Sequence, residues 1–223
     1  TITLPNGATL ASSYRRLAGK QAEVFTKEVR NGLLLGESSD KIARRLRRQL
    51  IAVPNNQIKA MVRTSVNQVA NAASQAVYSQ NQEITKRYRY IATLDSRTSA
   101  ICRALDGRTF KYNEGPTPPQ HFNCRSTTVP IVDYEGLGIP PPKPGKRRSS
   151  GGLVPANQTY GQWLFDQSKE VKADVLGVKQ VPYFNMLSCK YGPSVAIRKF
   201  VSADGTEVTL QELRRRYPDV KRS

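Results

Sequence analysis

Between Leu94 and Arg125 the chain gathers two of its three cysteines, its only histidine and two aspartates: Asp95, Cys102, Asp106, His121 and Cys124. Three chemistries suit that set. Cys102, His121 and Cys124 are soft and borderline donors of the kind zinc accepts, and the His-x-x-Cys spacing of His121 and Cys124 can aim both at one ion. A closed tetrahedral site needs a fourth ligand, which could be Asp95, Asp106 or a residue elsewhere. The second chemistry is a thiolate nucleophile: Cys102 or Cys124 activated by His121, with Asp95 or Asn123 orienting the base and Arg97 binding an anionic substrate. Neither cysteine lies in a recognised nucleophile motif, and no glycine-rich oxyanion element stands nearby. The third reading is structural. A buried Asp95 can accept from backbone N–H groups and from the Arg97 or Arg125 guanidinium, while the cysteines fill space as small apolar groups. A loop-rich module needs such polar clamps because regular ladders do not satisfy its backbone. The structural reading is adopted: no catalytic residue and no cofactor is expected, with zinc on Cys102, His121 and Cys124 as the alternative.

The elements that must position these residues follow from periodicity. Ser38, Ser39 and Asp40 can cap a helix in which Ile42, Leu46 and Leu50 recur every fourth residue, while Arg44, Arg45, Arg47 and Arg48 project elsewhere. Pro54 and Asn55-Asn56 end it and start another, carrying Ile58, Met61, Val62, Val66, Val69, Ala73 and Val77 to about Tyr78, with Ala70, Ala73 and Ala76 on its expected inner stripe. An earlier helix is expected over roughly Ser12 to Leu34.

From Tyr88 the texture becomes β-like. Tyr90–Leu94 and Thr127–Val132 read as strands, and Asp106-Gly107 as a turn between Ala104-Leu105 and Thr109-Phe110, around a loop from Asn113 to Asn123. Gly136–Gly152 is rich in Pro, Gly, Ser and basic residues and reads as a linker. Beyond it come a helix containing Tyr160, Trp163, Leu164, Val171 and Val175 that stops at Gly177, a strand Val195–Val201, a turn at Asp204-Gly205, and a final helix opened by a Thr209–Glu212 capping box. The class is α+β. The expected domains are a helical basic region 1–87, a central module 88–135, a linker 136–158 and a C-terminal α/β segment 159–223.

Charge narrows the partners. The 223 residues hold 35 Lys and Arg against 17 Asp and Glu, a net +18, and more than half of the excess lies in residues 1–90. Such an excess favours polyanions, because each Lys or Arg placed on a phosphate releases condensed counterions. Arg44, Arg45, Arg47 and Arg48, with Lys146, Arg147 and Arg148, are the candidate contacts to DNA or an acidic partner. No run approaches the ~18–20 apolar residues of a membrane span, and Thr1–Asn6 lacks the charge and apolar stretch of a signal peptide, so no membrane partner is expected. Three cysteines are too few for a disulfide scaffold, which favours a reducing compartment.

The run Leu94-Asp95-Ser96-Arg97-Thr98, then Cys102, Leu105-Asp106-Gly107 and Phe110, and finally Pro118-Pro119-x-His121-x-Asn123-Cys124-Arg125, resembles the signature of the phage Mu F-like minor head proteins, the head morphogenesis family of tailed bacteriophages. Arg63-Thr64 and Asn67–Ala73 are similar to the helix preceding that signature, and Asn31-Gly32 through Arg45 to the turn and helix before it. The resemblance extends through Gln162–Leu164, Val175–Gly177 and Thr209–Leu213, covering roughly Asn31 to Arg216. Ser99 and Ser126 stand about where members of the family often carry further cysteines, a departure that weakens the zinc reading. The resemblance implies a non-enzymatic structural virion component, made in the host cytoplasm and placed in the head interior or at the portal vertex. Its implied partners are portal protein, major capsid protein and packaged double-stranded DNA. Asp95, Arg97, Thr98, Cys102, Asp106, Gly107, His121, Asn123, Cys124 and Arg125 become structural signature residues. The alternatives are a nuclease or nucleotide-using transferase, for which residues 151–223 offer no histidine, and a zinc-stabilised nucleic-acid-binding module.

Overall fold

The computed structural model describes residues 19–218. They divide into two compact units, one made of residues 19–80 with 116–127, the other of residues 81–115 with 128–218. The expected signature module 88–135 is thus divided, with Asp95 to Gly107 in the second unit and His121 to Arg125 in the first.

The first unit is helical: α1 (Gly19–Leu34), α2 (Ser39–Gln49) and α3 (Asn55–Gln80). The expected helix start at Ser12 lies outside the described residues. Helix α1 presents Phe25 and Val29 inward, and a Cβ on Gly32 would lie 2.4 Å from Ile42 Cγ1, so only glycine lets α1 and α2 approach this closely. Ser38 caps α2 by accepting from the Lys41 N–H at 3.3 Å, Asp40 sits in the first turn, and Arg47 and Arg48 sit in the last, each charge matching the helix dipole. Phe25, Val29, Ile42, Ala43, Leu46, Leu50, Ile58, Met61 and Val62 form the core. The inner stripe expected on α3 is corrected in its second half: Val69, Ala70, Ala73, Ala76 and Val77 are exposed. From Thr64 onward the buried residues are the polar Thr64, Ser65 and Asn71, and Thr64 and Asn71 hydrogen-bond the Asn123 N–H and the Thr127 hydroxyl.

The second unit opens with β1 (Thr85–Ile91) and α4 (Ala100–Leu105), followed by β2 (Thr109–Lys111) and β3 (Thr127–Val132), with β1 central in the order β2-β1-β3. Strands β1 and β2 are antiparallel with Tyr88 opposite Phe110, and their rings meet at 5.7 Å. Asp106-Gly107 is therefore not a hairpin turn between strands: Ala104 and Leu105 end a helix, and Gly107 at φ 77° turns the chain into β2. The expected linker also needs correction, because β4 (Lys146–Ser149) and β5 (Gly152–Pro155) form an antiparallel hairpin with Arg147 opposite Val154. Residues 139–145, which hold its prolines, carry no helix or strand.

The single helix expected after Tyr160 is two, α5 (Tyr160–Phe165) and α6 (Lys169–Leu176), because Ser168 caps a new start. Helix α7 (Val181–Tyr191) follows, and the expected strand Val195–Val201 is instead α8 (Pro193–Ala196) running into a 3-10 turn, Ile197–Phe200. Gly192 at φ 81° followed by Pro193 starts a helix, and Ala196, Ile197 and Phe200 are then buried at helical spacing despite their β-branched neighbours. Helix α9 (Leu210–Arg216) begins after the Thr209 cap as expected. Leu94, Tyr160, Trp163, Leu164, Phe184, Leu187, Ile197, Phe200 and Leu213 are central to the core. With a helical first unit and a mixed second one, the class is α+β. Among the described residues no helix is long and apolar enough to cross a membrane.

Candidate functional site

Asp106 organises the second unit's half of the signature. Its carboxylate is fully buried and accepts from the Ala92 N–H at 2.6 Å, from the Tyr160 N–H at 2.7 Å, and from both Arg147 Nη atoms at 3.1 and 3.2 Å. Arg147 also donates to the carbonyls of Gln158, at 3.1 Å, and Ala92. One bidentate ion pair thus joins β1's exit, the end of α4, the β4–β5 hairpin and the start of α5, and further hydrogen bonds from Ala92 and Tyr160 and to the Ala92 and Gln158 carbonyls satisfy the carboxylate and both Arg147 Nη atoms, as a buried pair requires. Gly107 stands beside it because a Cβ there would lie 2.7 Å from Thr159 Cγ2.

Asp95 makes a local turn rather than a buried centre. Its Oδ1 accepts from the Arg97 N–H and the Thr98 hydroxyl, both at 3.1 Å, and its backbone carbonyl accepts from the Tyr160 hydroxyl at 2.8 Å. The Arg97 guanidinium is exposed, 3.8 Å from the Asp95 carboxylate. Buried Thr98 also donates to the Thr93 carbonyl at 2.6 Å. Cys102 is buried on α4 with its Sγ 3.2 Å from the Tyr90 hydroxyl. Arg103, not singled out by the sequence, is buried as well and donates to the carbonyls of Thr98, at 2.5 Å, and Val175, at 2.9 Å.

In the first unit, one face of α3 holds the loop that carries His121 to Arg125. The Thr64 hydroxyl accepts from the Asn123 N–H at 3.0 Å, and the Asn67 amide donates to the carbonyls of Cys124 and Ser126 at 2.8 and 3.1 Å. Asn71 steadies Asn67 by donating to its side-chain oxygen at 2.6 Å and accepts from the Thr127 hydroxyl at 3.3 Å. Spacings of three and four residues place all three on one side of the helix. Asn123 adopts φ 58°, a left-handed conformation that asparagine tolerates. Cys124 is buried, whereas Asn123 and Arg125 are exposed. The sequence signal for this ladder, polar residues on the inner face of an apolar helix, lay in the Thr64 and Asn67–Ala73 stretch.

His121 is half-buried, with Nδ1 2.8 Å from the Phe122 carbonyl. Burial disfavours its charged form, but the hydrogen bond to Cys124, the charge of that side chain and the Phe122 carbonyl outweigh burial, and the pKa is raised. The stability supplied by protonated His121 is therefore fully present below the unfolded value of 6.5 and lost as pH rises through the folded value. Thermal melts at about pH 5.5 and about pH 8.5 should show the native chain losing more stability across that interval than His121→Asn, which cannot titrate there. Equal losses would exclude this linkage.

The basic candidates separate by partner. Arg44, Arg47 and Arg48 are exposed on α2, but Arg45 is held by the Glu28 carboxylate and by Glu37 at 2.6 Å, with the Glu28 carbonyl at 3.2 Å. Lys41, 3.0 Å from Glu37, and Arg45 together hold the Glu37 carboxyl below its usual value. Lys146 and Arg148 are exposed, whereas Arg147 is the buried partner of Asp106. Arg45 and Arg147 thus act within the fold, whereas Arg44, Arg47, Arg48, Lys146 and Arg148 are exposed.

Residues 23–129, just under half of the chain, match the family model described as Phage Mu protein F like protein. The match takes in α2, α3 and every signature residue from Asp95 to Arg125; the resemblance read at Gln162–Leu164, Val175–Gly177 and Thr209–Leu213 lies outside it. No curated protein and no solved structure matches the chain.

Proposed function

We propose, from the match of residues 23–129 to the phage Mu F-like family model, that this chain is a non-enzymatic structural component of a tailed-phage head. In this reading it sits in the head interior or at the portal vertex, binds portal or capsid protein, contacts packaged DNA, and assists head assembly and genome packaging or delivery. The observation that carries the structural role is the engagement of the signature: the side chains of Asp106, Asp95 and Thr98 spend their polar groups on backbone and neighbouring side chains, and the Asn123 N–H is held by Thr64. A general acid, base or nucleophile must instead reach a substrate.

DNA contact is supported by the exposed Arg44, Arg47 and Arg48 on α2. Fluorescence anisotropy with duplex DNA tests it. Replacing the three by glutamine should weaken binding to every sequence alike, with the slope of log affinity against log salt falling by roughly 0.9 per lost phosphate contact. Affinity and slope both unchanged would remove α2 as the DNA-facing element.

A further inference from the structure

We propose that the second unit carries its own phosphodiester-binding surface, built by Lys190, Tyr191, Arg198 and Lys199 at the junction of α7, α8 and the 3-10 turn. It extends the DNA-contacting reading to a segment outside the family match and rests on that reading only for the identity of the polyanion. Between Asp174 and Asp204 the chain has no acidic residue and four basic ones, Lys179, Lys190, Arg198 and Lys199. Gly192 and Pro193 turn the chain at the end of α7, and Ala196, Ile197 and Phe200 are buried beyond it. The fold thereby brings Lys199 to the end of α7: its Nζ lies 4.5 Å from the centre of the Tyr191 ring, and Lys190 Nζ lies 5.3 Å from the same centre.

Two ammonium groups held on one exposed aromatic ring are like charges that repel, and the ring's quadrupole offsets only part of that repulsion. Among the described residues no carboxylate pairs with Lys190, Arg198 or Lys199; Arg198 Nε donates to the Ser194 carbonyl at 3.0 Å. On the first unit, by contrast, Glu28, Glu37 and Asp40 engage Arg45, Lys41 and Arg63. Tyr191 is 42 % exposed, so its ring remains open to solvent beside the two lysines. A phosphodiester backbone fits this surface: it supplies the missing negative charge at repeated intervals, and its sugars can lie on the ring. An acidic protein is the competing occupant.

The test uses the full chain and a labelled duplex, with affinity followed by anisotropy across a salt series and folding checked by circular dichroism. For the combined Lys190→Gln, Arg198→Gln and Lys199→Gln variant, we expect affinity to fall about tenfold for all duplex sequences and the salt slope to fall by about 2–3. Lys190→Arg with Lys199→Arg, which keeps the charge, should retain the slope, and Tyr191→Leu should weaken binding severalfold by releasing both lysines. An Arg44, Arg47 and Arg48 set measured in parallel separates the two surfaces. If only that set changes binding, this proposal is overturned while the α2 reading stands; if only the Lys190 set does, α2 fails and this surface stands. Polyglutamate competing as well as DNA of equal charge would also overturn it.

Discussion

Asp106→Ala is expected to lower the stability of the chain by about 3–5 kcal/mol, the range found when one partner of a buried ion pair is removed. The substitution leaves the Arg147 side chain, 11 % exposed, without a counter-ion, and strips the buried Ala92 and Tyr160 N–H groups of their acceptor. Urea unfolding followed by tryptophan fluorescence reports it directly, because Trp163 lies in α5, whose first residue is Tyr160. Removing both charges, as Asp106→Leu with Arg147→Met, should recover part of the loss, since no isolated buried charge then remains. A loss below about 1 kcal/mol for Asp106→Ala, the scale of an exposed pair, would show that the clamp does not hold this unit together.

Gly161→Ala should be the next most damaging single change, although alanine is the better helix former by about 1 kcal/mol. A Cβ at position 161 would lie 2.2 Å from the Pro193 carbonyl oxygen, 2.6 Å from its carbon and 3.0 Å from Ser194 Cα. All three are backbone atoms, and this contact seats α5 on α8, where Thr159 Oγ1 and Ser194 Oγ also meet at 2.6 Å. Relief requires α8 to move away from a core containing Trp163 and Phe200, with an expected loss of about 1–3 kcal/mol. Gly145→Ala is the control: no atom approaches its Cβ position, so its effect should lie within about 0.5 kcal/mol. Equal melting temperatures for the two variants would contradict the packing of α5 on α8.

The first unit was largely legible because its signals are local. Ser38, the fourfold spacing of Ile42, Leu46 and Leu50, and the Pro54 break are read within single turns, and α2 and α3 lie where these place them. Misreadings arose where partners are distant in sequence or where composition and position disagree. Arg147 lies in a basic run that looks solvated, and only a carboxylate 41 residues earlier makes it a buried group. Arg45 shares the helical face of a charged stripe, yet Glu28 is 17 residues away. Val195–Val201 has strand composition, but Gly192-Pro193 starts a helix and the aromatic core accepts Ile197 and Phe200 at its spacing. The signature residues were recognised as a group, while their division between two units follows from the return of residues 116–127 to α3, which no local pattern announces.

The Asp106 carboxylate, committed to contacts within the fold, suits the proposed role of a durable particle component. Quantitative mass spectrometry of purified phage heads, comparing procapsids with DNA-filled particles, tests that claim most directly. The chain is expected in both, at low copy relative to the major capsid protein; its absence from both would contradict a role in the head.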